Sequence, residues 1–125
     1  MKLTTAFKVF VFLANKNSEA KKLIASGNHI FQIDLDGEEK FFLETKDGKL
    51  FMRNGENENP SATVKTTKLI MSDLITGRLN SDSAFLAGKF EIKGSIFDGA
   101  KFNRLVNIML DGTTSKFRGV LKWLL

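Results

Sequence analysis

The chain lacks cysteine and tyrosine, and it has one histidine and one proline among its 125 residues. The absence of cysteine excludes a disulfide framework, a thiolate metal site and cysteine nucleophile chemistry. A single histidine excludes a histidine cluster for metal and leaves at most one imidazole for acid–base chemistry. We therefore expect neither a bound metal ion nor an organic cofactor.

Long apolar runs are also absent, since no stretch approaches the ~20 consecutive apolar residues that a membrane-spanning helix needs. Met1–Lys2 followed by the apolar run 6–14 has the outline of a signal peptide, but Lys8 interrupts that run. We predict that this segment is part of the fold and that the protein is soluble and cytoplasmic.

Phenylalanine is the residue type present in excess. The sequence contains 12 Phe, and Trp123 is its one other aromatic residue. Phe contributes apolar area without the polar group that Tyr and Trp carry. This composition is typical either of a Phe-rich core or of an interior that receives an apolar ligand.

The net charge of +5 comes from 19 Lys and Arg against 14 Asp and Glu. Such an excess indicates nucleic acid, an anionic membrane surface or solubility alone. The lysines are scattered, and no basic run interleaves with aromatics as in an RNA-binding strand. We expect no nucleic-acid partner, with a small basic nucleic-acid-binding protein kept as an alternative, and allow for transient contact with anionic lipid head groups.

Apolar periodicity divides one domain, residues 1–125, into helices and strands. A period of 3.6 predicts helices over 2–14, 19–25, 67–77, 84–87, 98–110 and 115–125, with Ser18 capping the second. A period of two predicts strands over 29–35, 40–45, 49–53, 62–66 and 89–94. The first four strands are predicted to form an antiparallel meander. This order is typical of an α+β domain with its helices mostly on one sheet face.

Candidates for catalysis are few. His29 opens a strand with no acidic residue at a telling spacing, and Ser72 and Asp73 have no histidine partner for nucleophilic chemistry. The acidic cluster within 34–39 lacks the calcium-loop pattern and is predicted to be a solvated turn. We therefore expect that the protein is not an enzyme.

Short motifs follow one another in a distinctive order, namely Phe31–Gln32–Ile33–Asp34, Ala62–Thr63–Val64, Gly77–Arg78–Leu79, Ala84–Phe85–Leu86–Ala87 and Gly88–Lys89–Phe90–Glu91–Ile92–Lys93–Gly94. In their order and spacing, over about residues 5–110, they resemble the sterol carrier protein type-2 (sterol-binding) domain family. The family often has a Gln where this chain has Ala87, so one polar contact toward a ligand is missing here.

The resemblance implies a five-stranded, mainly antiparallel sheet covered by helices and enclosing an apolar tunnel for lipids. Two helical stretches, 69–75 and 105–110, carry more apolar residues than one packed face needs. Their residues Met71 and Met109 can adapt to irregular ligands. The alternative is that these helices are simply buried on two sides.

By the same resemblance, the chain is predicted to be an intracellular lipid-binding or lipid-transfer protein for a fatty-acyl, sterol-like or isoprenoid-like ligand. The short helix, late strand and following helix that the family uses would supply the lining residues Phe85, Leu86, Phe90, Leu105 and Met109. The first alternative is an accessory module that presents lipid substrate to a lipid-modifying enzyme.

The segment 115–125 has apolar residues on one helical face and basic residues outside that face. It is predicted to pack on the domain. Covering the tunnel as a lid, or resting on an anionic membrane surface, are the two alternatives.

Overall fold

The computed structural model describes residues 2–111 together with Phe117, Gly119 and Val120. Its elements follow in the order α1 (Leu3–Ala14), α2 (Ser18–Ile24), β1 (His29–Leu35), β2 (Glu39–Lys46), β3 (Lys49–Asn54), β4 (Ala62–Thr66), α3 (Lys68–Thr76), α4 (Ser81–Leu86), β5 (Glu91–Gly94) and α5 (Ile96–Leu110). This is the predicted α+β class, and the elements up to Leu110 follow in the predicted order.

The five strands form one mixed sheet in the order β3-β2-β1-β4-β5. The pairing of β1 with β4 is parallel, and the other pairings are antiparallel. The predicted meander is therefore correct for β1 to β3 and wrong for β4.

The reason for this difference lies in the loop that follows β3. Gln32 of β1 accepts a hydrogen bond from the Asn57 backbone N–H at 2.8 Å and donates one to the Gly55 carbonyl at 3.0 Å. These bonds hold the loop across the sheet, so that the chain passes over β2 and β1. The next strand therefore pairs with the far edge of β1.

Both hairpins turn at an Asp–Gly pair. Asp47 and Gly48 have φ of 53° and 75°, and Asp36 and Gly37 have φ of 60° and 71°. Positive φ at two consecutive positions bends the chain in the sense that matches the twist of antiparallel strands, and Asp and Gly tolerate that conformation. The turns are thus fixed by local residues.

The helices cover one face of the sheet. Side chains opposite each other in register share a face, so Ile33 lies beside Phe41 of β2 and Val64 of β4. All three are fully or almost fully buried, and they join one core with the buried residues of the helices. The predicted placement of the helices is confirmed.

Side-chain caps set where α2, α3, α4 and α5 begin. Thr67 accepts from the backbone N–H of Ile70 at 3.0 Å, and Asn80 accepts from that of Ser83 at 2.9 Å. For α2 the predicted cap, Ser18, is wrong. Asn17 accepts from the backbone N–H groups of Glu19 and Ala20, and Ser18 is already helical.

The phenylalanine rings fall into separate groups. The first group holds α1 to the sheet, through ring-centroid distances of 5.0 Å for Phe7–Phe41, 5.7 Å for Phe7–Phe10 and 5.2 Å for Phe10–Phe117. A second group joins Phe31 to Phe102 at 6.0 Å.

Of the predicted C-terminal helix 115–125, all but Phe117, Gly119 and Val120 lies outside the described residues. Those three are helical, and Phe117 is fully buried.

Candidate functional site

The helical face of the sheet has two ends, which the strand register defines. At one end His29 pairs with Thr45, and Phe31 pairs with Ala62. At the other end Leu35 pairs with Glu39 and with Thr66. The seven residues of β1 that join these ends span about 20 Å, at roughly 3.3 Å per residue.

A small apolar pocket lies at the His29 end, between α2, the sheet and α5. It holds about 10 Å³ and is lined by Leu23, Ile24, His29, Phe31, Thr45, Lys101 and Leu105. The α2 and β1 residues form two walls, and α5 closes the third. Leu105, one of its lining residues, is almost fully buried and belongs to the core cluster.

Three titratable side chains meet beside this pocket, and we call them the polar trio: His29, Asp98 and Lys101. The Lys101 ammonium lies 3.1 Å from Nε2 of His29, and an Asp98 carboxylate oxygen lies 3.2 Å from Nδ1. Because an ammonium group only donates hydrogen bonds, Nε2 accepts, and Nδ1 carries the proton that it shares with Asp98. The ring also stacks on Phe31 at a centroid distance of 5.8 Å.

The expectation that His29 has no acidic partner is wrong. The fold brings Asp98 and Lys101 to it from the first turns of α5, and Lys101 is 72 residues away along the chain. The spacing of Asp98 and Lys101, three residues apart on one helix, was visible in the sequence. Their approach to β1 depends on tertiary packing, and no local pattern encodes it.

The opposite end of the face carries another aromatic pair and an open groove. Phe85 of α4 lies 5.6 Å from Phe90, ring centroid to ring centroid, just before β5. The groove lies between α1, the start of β2 and α3, and it has a volume of about 660 Å³. Lys68 and Glu39 form an ion pair across it at 3.6 Å, and Leu69 lies exposed on its wall.

The predicted lining residues lie in different parts of this face. Leu105 and Met109 are buried on the inner side of α5, and Leu105 lines the pocket at the His29 end. Phe90 is partly buried against the core. Phe85 is 43% exposed and Leu86 is 85% exposed. The structure brings Phe85 and Phe90 together, and it separates Leu86 from the interior.

Between the two ends, the core contains the two methionines singled out by the sequence. Met71 of α3 and Met109 of α5 are both fully buried in one cluster with Ile75 and Leu105. Unbranched thioether side chains repack easily around irregular shapes. Two side chains of this kind therefore lie within the core under the helical face.

The acidic residues at the first hairpin play a structural role. Asp34 is almost fully buried and accepts a 2.8 Å hydrogen bond from the Gly37 backbone N–H, which ties down the turn. Within the described part of the chain, no group of three or more His, Asp or Glu side chains could hold a metal ion. Among those same residues, no helix has the length and apolarity needed to cross a bilayer.

Solved structures share this fold. The sterol carrier protein domain 2 of Helicoverpa armigera is 26% identical, with a TM-score of 0.62 over 83% of this chain and 87% of that one. Palmitated SCP2L2 from Aedes aegypti is 19% identical, with a TM-score of 0.66 over 85% and 95% of the two chains.

A third match is a much longer protein, the stereoselective inverting sec-alkylsulfatase Pisa1 from a Pseudomonas species. It is 21% identical, with a TM-score of 0.61 over 76% of this chain. The present chain spans only 14% of that enzyme. The fold thus also occurs as one part of a larger catalytic protein.

The family assignment rests on most of the sequence. The model of the SCP-2 sterol transfer family matches residues 9–107, which include the motifs of 31–34, 62–64 and 77–94. The element order and the mixed five-stranded sheet agree with that match. The chain therefore belongs to the SCP-2 sterol transfer family, whose domains bind and transfer lipids.

Proposed function

We propose that this protein binds a single-chain lipid along the helical face of its sheet, between the pocket at the His29 end and the Phe85–Phe90 pair. The observation that carries this proposal is an apolar pocket, bordered by the polar trio, whose lining residue Leu105 belongs to the same buried cluster as Met71 and Met109. An apolar path with a few polar groups at its mouth is the usual design of a small-molecule site.

Binding along this path requires the helices to move. Ligand pockets usually measure about 300–1,000 Å³, whereas the pocket at the His29 end holds about 10 Å³. α2 is the element that can yield, because it has only seven residues and closes one wall of the pocket. Met71 and Met109 would then repack around the chain.

The five predicted lining residues take different roles in this proposal. Leu105 and Met109 contact the middle of the lipid, and the Phe90 and Phe85 rings contact its far end. Leu86, which points to solvent in the present structure, reaches the lipid only if α4 turns inward. Burial would contribute roughly 25 cal/mol per Å² of apolar area, less the entropy lost on binding.

The direct test is native mass spectrometry of the purified protein, followed by organic extraction and displacement of a fluorescent fatty acid. We expect a bound lipid, or saturable probe binding with one site. Leu105→Trp is expected to weaken probe binding at least about fivefold, because the larger ring fills the pocket while costing about 1–3 kcal/mol of stability.

Leu69→Trp is the matched control, because Leu69 is 70% exposed on the wall of the open groove. Its binding is expected to equal that of the wild type, with both variants folded by circular dichroism. If Leu69→Trp loses binding while Leu105→Trp retains it, the lipid occupies the groove and the proposed path is wrong.

We also propose transient contact between the His29 end and an anionic membrane. Ile96 and Phe97 begin α5 beside the polar trio, and Phe97 is 84% exposed. The nearby cations Lys93 and Lys101 complement anionic head groups.

Phe97→Ser is expected to slow lipid transfer to phosphatidylserine-containing vesicles severalfold, measured by fluorescence. Leu69→Ser, at the other end, is the control, and equal slowing by both variants would contradict this docking mode.

The match to one part of a sec-alkylsulfatase favours a second candidate function, in which the domain presents a lipid substrate to an enzyme. This role predicts that an enzyme acting on lipids co-purifies with the protein at a fixed ratio. Lipid transfer between vesicles by the purified protein alone, with no such companion, would favour independent transfer instead.

A further inference from the structure

We propose that the polar trio selects lipids that carry a carboxylate head group, with Lys101 as the residue that binds the carboxylate. This inference rests on the proposed lipid-binding function and specifies its ligand as a fatty acid. Among the described residues that line the pocket at the His29 end, Lys101 is the one that carries an ammonium group.

The hydrogen bonding of Lys101 leaves room for an anionic ligand. An ammonium group has three N–H donors, and the contact with His29 Nε2 uses one of them. That acceptor is an imidazole nitrogen, which carries no negative charge. A carboxylate is a stronger partner, since hydrogen bonds between ionised groups are roughly twice as strong as neutral ones. The carboxylate of an arriving lipid would therefore replace His29 Nε2 as the hydrogen-bond acceptor of the Lys101 ammonium group.

The rest of the trio positions this group. Asp98 bonds to Nδ1 at 3.2 Å, on the side of the ring away from Lys101, and so fixes the ring nitrogen that faces the ammonium group. The first turn of α5 is itself held in place, because Ser95 caps the Asp98 backbone N–H at 3.2 Å. A site held on rigid elements orients its ligand better than one on a loop.

The pocket also gives the direction of the lipid. With its carboxylate on Lys101, the chain of a fatty acid continues past Phe31 and Leu105, which line the same pocket. From there it enters the core that contains Met109. An ester or a sterol would meet the same apolar walls without the ionic contact, so the selectivity resides in Lys101.

The test compares palmitate with methyl palmitate as displacers of a neutral fluorescent lipid probe. The wild type is expected to bind palmitate about tenfold more tightly than methyl palmitate. One hydrogen bond between charged groups contributes about this much to binding affinity. Lys101→Met should lower the affinity for palmitate about tenfold and leave the affinity for methyl palmitate unchanged. The preference for palmitate over methyl palmitate would then be lost. Lys101→Arg should retain it, and Lys101→Gln provides a second neutral variant should Lys101→Met fold poorly.

Lys49→Met is the matched control for charge, since Lys49 is exposed at the start of β3 and is not among the lining residues of the pocket. It is expected to retain the preference for palmitate. Equal affinities in the wild type, or a preference that survives in both Lys101→Met and Lys101→Gln, would overturn the carboxylate site while leaving lipid binding intact. If the wild type binds neither displacer nor probe, the proposed function itself fails.

Discussion

Replacing Phe10 by alanine is expected to lower the free energy of unfolding by about 3–5 kcal/mol, the range for deleting a fully buried aromatic ring. Phe10 has no exposed surface, and its ring contacts Phe7 at 5.7 Å and Phe117 at 5.2 Å. These contacts attach α1 to the core and to the described part of the C-terminal segment. The loss is a large share of the ~5–15 kcal/mol that stabilises a typical domain.

Phe12 is the matched control, two residues further along the same helix. Its ring is 59% exposed, with the Lys16 ammonium 4.5 Å from the ring centroid. Phe12→Ala is expected to change stability by no more than about 0.5 kcal/mol. Urea unfolding of both variants measures the difference. Similar losses for Phe10→Ala and Phe12→Ala would contradict the position of α1 on the sheet.

Replacing Gly99 by valine is expected to destabilise the protein by about 1–3 kcal/mol, the usual cost of overpacking. A Cβ atom at Gly99 would lie 2.6 Å from Cγ2 and 2.9 Å from Cδ1 of Ile92, so α5 could not keep its distance from β5. Valine has a higher helix propensity than glycine. A measured loss would therefore come from the clash and not from the helix.

The double variant Gly99→Val with Ile92→Ala separates these effects, because it removes the clashing atoms. Unfolding in urea is expected to show a coupling of about 1 kcal/mol or more between the two positions. The single variant Gly99→Val should also weaken palmitate binding, since it displaces the turn that carries Asp98 and Lys101. Additive effects of the two substitutions would show that α5 does not pack on β5 at Gly99.

The strands could be predicted from sequence because their signals are local. In β1, Phe31, Ile33 and Leu35 alternate with polar residues, and the Asp–Gly turns that follow β1 and β2 have no dependence on distant residues. The partner of β4 could not be predicted in this way. Its position depends on the path of the loop held by Gln32, and periodicity contains no information about it.

The candidate site was predictable only in part, for the same reason. The spacing of Leu105 and Met109 places both on one helical face, and the structure confirms that this face is buried. Phe85 and Leu86 are neighbours in one motif but differ in exposure, because successive helical residues point about 100° apart. The polar trio joins residues far apart in sequence, so it becomes visible only in the folded chain.

The central claim is that the lipid lies inside the helical face, past Leu105 and Met109. Intermolecular nuclear Overhauser effects between bound palmitate and methyl-labelled Leu and Met side chains test it most directly. We expect contacts from the chain protons of palmitate to the methyl groups of Leu105 and Met109, and none to Leu69 in the open groove. Saturating palmitate that contacts Leu69 but neither Leu105 nor Met109 would contradict the account.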